Sequence, residues 1–330
     1  MIVSTTAWAV TVVALIALMA FDFWIVERRP RPFTSADAAR WVVVYVSLAA
    51  LFALYLLWQY GSRPAGEFVA GYITEYSLSV DNLFVFVVLM ASFSVPAALQ
   101  HRVLLIGVVL ALILRTGLIF IGAAALTRFT ATFYLFGAFL IWTAWRVATS
   151  HEEEVDPEGN ALVRWVEKRF PVTREYHGHK WTTTLNGVRY ITPMALVILA
   201  IGTTDLLFAV DSIPAVFGLT STTYIVFTVN AFALMGLRQL FFLLHGLLGR
   251  LVYLNRGLAL ILAFIGVKLI FEAMHSTTSL PVPQIGIAVS LAVIVGILAV
   301  TVAASLLAVR RNPTLLEGSA DSPEGAGADD

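Results

Sequence analysis

The chain has 330 residues, of which 59% are hydrophobic and only 13% charged, with a mean hydropathy of +0.86 and a formal net charge of zero. Soluble domains carry about 25% charged residues, so this composition, with its long apolar runs, describes a polytopic membrane protein. Zero net charge offers no bulk attraction to nucleic acid, and the lack of cysteine excludes disulfides, thiolate metal sites and cysteine nucleophiles.

Nine spans are predicted, at roughly 6–26, 41–60, 68–93, 102–124, 130–149, 192–218, 222–245, 257–274 and 284–309. The first has no basic start and no small-residue cleavage site, so it reads as a span rather than a signal peptide. Fifteen lysines and arginines fall in alternate loops and the tail, against only Arg63 and Arg128 in the intervening loops. That bias predicts an outer N-terminus and an inner C-terminus.

The expected division is residues 1–67 for the first two spans, 68–149 for a first transmembrane repeat, 150–191 for a cytoplasmic loop and 192–274 for a second repeat. A last span follows at 275–311, and 312–330 form a Gly-, Ser- and acid-rich tail expected to be disordered. In the long loop, Leu162, Trp165, Val166 and Phe170 recur at helical spacing, which predicts a short helix on the membrane surface, stopped at Pro171. His177 and His179 read as solvated loop rather than metal ligands. Asp22, Arg146 and Glu272 lie near span ends and read as anchors, and His245 as structural.

The informative stretches are TEYSLSVDN, Thr74 to Asn82 in the third span, and TDLLFAVDS, Thr204 to Ser212 in the sixth. Glu75 matches Asp205, and Asp81 matches Asp211. The spans that follow also correspond, with ALILRTGLIF placing Arg115 and ALMGLRQLFF placing Arg238. Spans 3–5 and 6–8 therefore read as two three-helix repeats of opposite orientation, a transporter architecture with its site at the repeat interface. The expected fold is an all-α membrane protein of about nine transmembrane helices built around them.

Acids six apart on a straight helix are about 9 Å apart along the axis and about 120° apart around it, so one motif cannot aim both at one point. Opposed orientation is expected to bring Glu75 level with Asp211, and Asp81 level with Asp205, in two carboxylate layers. Gly71, Gly202 and Pro214 are expected to loosen the helices and free backbone carbonyls. With Asn82, Ser212, Thr203 and Thr204 nearby and Asn230 deeper in span seven, the donors are all hard oxygens, which suit Mg, Ca or Mn better than Zn or Cu. The competing reading is structural. A carboxylate at mid-membrane costs about 2.5–3.5 kcal/mol, and Arg115, Arg238 and Lys268 are in-span cations able to absorb the acids as ion pairs. Pairing alone leaves the repeated spacing unexplained, so an ion or proton pathway is the preferred reading.

The segments EYSLSVDNLFVF, TTDLLFAVDSIPAVFGLT, NAFALMGLRQLFF and FPVTREYHG resemble the TerC/Alx family of bacterial integral membrane proteins, over about Phe68 to Glu272. The family is named for tellurium resistance, is grouped with LysE-type exporters and is associated with manganese efflux, some members with supplying metal to exported proteins. The resemblance implies a manganese exporter of the bacterial cytoplasmic membrane, with Glu75, Asp81, Asp205, Asp211, Asn82 and Asn230 as its metal residues. Tellurite itself is an oxyanion, which an acid-lined path repels. The expectation is thus a non-enzymatic secondary transporter moving Mn²⁺ out against protons, with the lipid bilayer as its surroundings. No GxxxxGK[ST] run provides for ATP. One alternative is a partner of the secretion machinery that hands metal to exported metalloproteins without flux of its own. Another is an intramembrane aspartyl protease, for which the G-x-G-D pattern is missing.

Overall fold

The computed structural model describes residues 3–28, 35–129, 131–149, 160–185, 187–244, 252–278 and 282–311. The described helices are α1 (Thr5–Arg28), α2 (Ser35–Tyr60), α3 (Ser62–Ser92), α4 (Ala97–Arg128), α5 (Ala131–Thr149), the short α6 (Ala161–Arg169), α7 (Pro193–Phe217), α8 (Thr223–Leu244), α9 (Leu254–Thr277) and α10 (Ile287–Arg311). Seven are long and apolar enough to cross a membrane, and Thr5–Phe21 and Thr223–Leu237 are shorter apolar helical stretches. The chain is an all-α, multi-pass membrane protein. Local sequence marks several boundaries. Pro96 caps α4 and Pro193 opens α7, where a fixed φ and a missing N–H cost nothing. Gly61, at φ +91°, makes the sharp entry to α3.

Burial separates an inner from an outer set. In their most apolar windows α3 and α7 are 56% buried, whereas α2 and α10 are 17% buried and show Val, Leu and Trp outward as lipid-facing surface. Helix α3 packs on α8 and α7, α4 on α7 and α8, and α5 on α9. Exchanging the triplet α3–α4–α5 with α7–α8–α9 maps these pairs onto one another: α3 on α8 exchanges with α4 on α7, and α5 on α9 with itself.

The α5–α9 crossing is the tightest expression of that relation. A methyl group on Gly137 would meet the Gly266 carbonyl oxygen at 2.8 Å and Ile270 at 2.7 Å. One on Gly266 would meet the Gly137 carbonyl oxygen and Ile141, both at 2.9 Å. Each helix thus offers a glycine and, one turn later, an isoleucine to the other's glycine, so the backbones touch directly.

The long loop carries two folded pieces. Helix α6 forms where the apolar spacing places it and ends before Pro171; the Asn160 side chain accepts from the Leu162 and Val163 amides as its N-cap. Val163 is buried against the bundle, while Leu162, Trp165 and Phe170 are exposed, an apolar face suited to a membrane surface. Strands β1 (Thr182–Leu185) and β2 (Val188–Ile191) form an antiparallel hairpin with Gly187 at φ +79°. The Asn-Gly pair between two short Thr- and Val-rich runs is the sequence signal for it. The Asn160 amide donates to Thr203 Oγ1 of α7 at 2.8 Å, and the Tyr176 hydroxyl donates to the Phe93 carbonyl beyond α3, also at 2.8 Å. Burial pushes the Tyr176 pKa up to about 12, so it keeps its proton at physiological pH. The tail 312–330 and His245 lie outside the described residues.

Candidate functional site at the α3–α4–α7–α8 junction

Helix α4 carries Arg115 into the middle of the bundle with a side chain that is fully buried. A buried guanidinium requires anionic acceptors around its whole fork. Asp205 of α7 meets it edge-on: Nε donates to Oδ2 and Nη2 to Oδ1, both at 3.0 Å. Nη1 donates to Glu75 Oε1 of α3, to Ser212 Oγ of α7 at 3.2 Å and to Asn230 Oδ1 of α8 at 3.1 Å. The Asn230 amide is oriented for this by donating to the Val226 carbonyl at 3.0 Å. Glu75, Asp205, Ser212 and Asn230 are each no more than 1% exposed.

The first acids of the two motifs therefore converge, but on each other through Arg115. The expected level of Glu75 with Asp211 is not what forms. One arginine fork reaches from α4 across both α3 and α7 and gathers Glu75 and Asp205, while Asp211 lies further along α7 and faces α5. There it accepts from Thr143 Oγ1 at 3.3 Å and lies close to Arg146. The side chains of Asp81 in α3 and Arg238 in α8 lie outside what the structure describes. Asn82 is buried on α3, one residue beyond Asp81.

Four further expectations need correction. Lys268 does not join the Arg115 cluster. It lines a separate cavity of about 920 Å³ with Arg63, Glu67, Thr220, Glu272 and Gln284. Glu67 starts eight residues before Glu75, about 12 Å along α3, and accepts there from Arg63 Nε at 3.0 Å and Thr220 Oγ1 at 2.6 Å. Arg146 is an anchor in part only, since it lies beside Asp211. Helices α3 and α7 also run unbroken through Gly71, Gly202 and Pro214. Gly71 packs on Val229 and Gly202 on Leu110, where a methyl group would lie at 3.0 and 2.4 Å, so these glycines admit close packing. Thr203 serves the loop through Asn160, and Thr204 is half-buried beside the cluster without entering it.

Sequence reasoning missed a polar strip on α3. Tyr72, Glu75, Tyr76, Ser79 and Asn82 recur at three- and four-residue steps, one helix face. Their spacing was legible, but hydroxyls carry no charge to draw the eye. Glu75 Oε2, Thr74 Oγ1, Ser79 Oγ and the Tyr72 and Tyr76 hydroxyls are buried without a hydrogen-bond partner. Such atoms are costly unless something fills their coordination. Among the described residues no three His, Asp or Glu side chains stand together as a ready metal cage. His177 and His179 remain on the loop, His179 exposed.

Residues 60–313 match the integral membrane protein TerC family. An uncharacterized membrane protein of Myxococcus xanthus is 40% identical over 317 residues, which cover 96% of each chain. One from Mycobacterium tuberculosis is 42% identical over 319 residues, covering 93% of this chain and 80% of its own. A protein of Escherichia coli K12 described as the putative membrane-bound redox modulator Alx is 40% identical over 303 residues, covering 89% of this chain and 92% of its own. No solved structure matches the chain. The match across most of the chain and its helical multi-pass fold agree: the chain belongs to the TerC family of integral membrane proteins.

Proposed function

We propose that the protein is a secondary transporter that exports divalent cations, manganese foremost, from the cytoplasm in exchange for protons. The observation that carries this reading is the convergence of Glu75 and Asp205, from two separate helices with matching motifs, on one buried point around Arg115, where every acceptor is an oxygen. Oxygen-only sets suit hard cations. Carboxylates that bind metal shed protons, which provides the coupling. In this reading α3–α5 and α7–α9 are inverted repeats in a bacterial cytoplasmic membrane. The N-terminus is outside, and α6, the hairpin and the C-terminus are inside. Alternate exposure of the repeat interface moves the ion.

The protein is a carrier rather than an enzyme in this account. A proton-sharing aspartyl dyad needs its two carboxylates against each other, and here a guanidinium separates Glu75 from Asp205. The name of the Escherichia coli relative concerns redox balance. This chain has no cysteine, so thiol chemistry cannot carry such a role here. A second reading, metal hand-over to exported metalloproteins, is favoured by the folded loop fastened to the bundle through Asn160 and Tyr176. Transport of Mn²⁺ by purified protein in liposomes separates the two. Flux lost in Asp81→Asn or Asp205→Asn protein that is still folded supports export. Mn²⁺ binding without flux supports hand-over.

A further inference from the structure

The Arg115 guanidinium engages the carboxylates that the transport reading assigns to a metal ion. Its Nε and Nη2 lie on Asp205, and its Nη1 lies on Glu75, Ser212 and Asn230. Every one of these acceptors is an oxygen that a hard cation also takes. Guanidinium and metal therefore compete for one set of atoms. Building on that transport reading, we infer that Arg115 is a tethered counter-cation, which the transported ion must displace from Glu75 and Asp205, and that this competition selects divalent over monovalent cations.

Charge is the first support. Two carboxylates with Arg115 between them carry one net negative charge; freed of it they carry two, the complement of a divalent ion. A monovalent ion brings no more charge than the guanidinium and lacks its directed, paired hydrogen bonds. A divalent ion doubles the Coulomb attraction at equal distance.

The second support is the uneven grip. Asp205 is held by two parallel bonds, whereas Glu75 shares Nη1 with Ser212 and Asn230. Glu75 Oε2 is buried with no partner at all. Glu75 is thus the end that opens first, and Asp205 the end released last. The third support lies on the same face of α3. Ser79, one turn beyond Glu75, has a buried and unpartnered hydroxyl. An ion arriving on Glu75 finds donor oxygens that Arg115 leaves unused.

The test is Mn²⁺ binding to the full chain in nanodiscs, read by electron paramagnetic resonance. It is run in NaCl and in choline chloride of equal ionic strength, so that screening is matched. Competition lowers apparent affinity by the fraction of sites that are free, so Arg115→Gln is expected to bind Mn²⁺ roughly tenfold tighter or more. NaCl should weaken that binding, while wild type and Arg115→Lys hold the same affinity in both salts. A folded Arg115→Gln protein that binds no tighter overturns the inference and makes Arg115 a strut. Should that variant fail to fold, Arg115→Lys decides, since it keeps the charge and every acceptor oxygen but loses the paired fork on Asp205: Mn²⁺ binding tighter than wild type supports the inference, and unchanged or weaker binding overturns it. If wild type and variants alike bind no Mn²⁺, the transport reading itself fails. If wild type binds and the variants bind no tighter, only the present inference does.

Discussion

Arg115 and its two carboxylates are not equivalent in what each removal costs. Asp205 supplies both oxygens of a paired, fully buried contact, and its loss leaves the guanidinium on a single shared nitrogen. Asp205→Asn is expected to destabilise the protein by about 3–5 kcal/mol, the cost of breaking a buried ion pair from one side. Glu75→Gln removes only the carboxylate on the shared Nη1 and leaves the guanidinium paired with Asp205, so it is expected to cost less, about 1.5–3 kcal/mol, while ending coupled flux. Denaturation in detergent, followed by circular dichroism, checks the ranking; equal losses would contradict the asymmetry. Thr143→Val strips Asp211 of its donor and should cost about 1–3 kcal/mol. The identities of these residues were legible in the sequence, because carboxylates and arginines inside apolar runs are conspicuous. That Arg115 could pair with acids was legible too, and it does; which acids it takes was not. Spacing along one helix gives height and angle, but it does not reveal that a third helix delivers a five-donor fork to the first acid of each motif.

At the scale of the element, the close approach of α5 and α9 is the most exposed to change. Neither backbone has room for a side chain at Gly137 or Gly266. Gly266→Ala should therefore push the helices apart at a cost of about 1–3 kcal/mol, read as a lower melting temperature. Tyr176→Phe, at the loop's anchor to the Phe93 carbonyl, should cost about 1 kcal/mol and speed hydrogen exchange in the hairpin amides. The helices were legible because apolar runs of this length have one stable form in a bilayer, and α6 because its apolar spacing is helical. The α5–α9 glycines were not, since a glycine in an apolar run looks the same whether it faces lipid or another backbone. The hairpin was missed for a different reason: its Asn-Gly pair was present, but the runs on either side, TTTL and VRYI, are only four residues each.

The whole molecule joins an exchange-related packing pattern to an acidic centre that two helices share. Its predicted topology is checkable without background, because the chain has no cysteine of its own. Single substitutions Ser4→Cys and Lys180→Cys should be labelled from opposite sides of the membrane by an impermeant maleimide. Labelling from one side would overturn the predicted five spans before the loop. The central claim is that Glu75 and Asp205 form the cation path. The most direct measurement is Mn²⁺ flux into proteoliposomes of the purified chain, with and without an opposing proton gradient, for wild type and Glu75→Gln. The account predicts gradient-driven Mn²⁺ movement in wild type, none in the variant, and a well-folded variant throughout. Equal flux in the two proteins would contradict it.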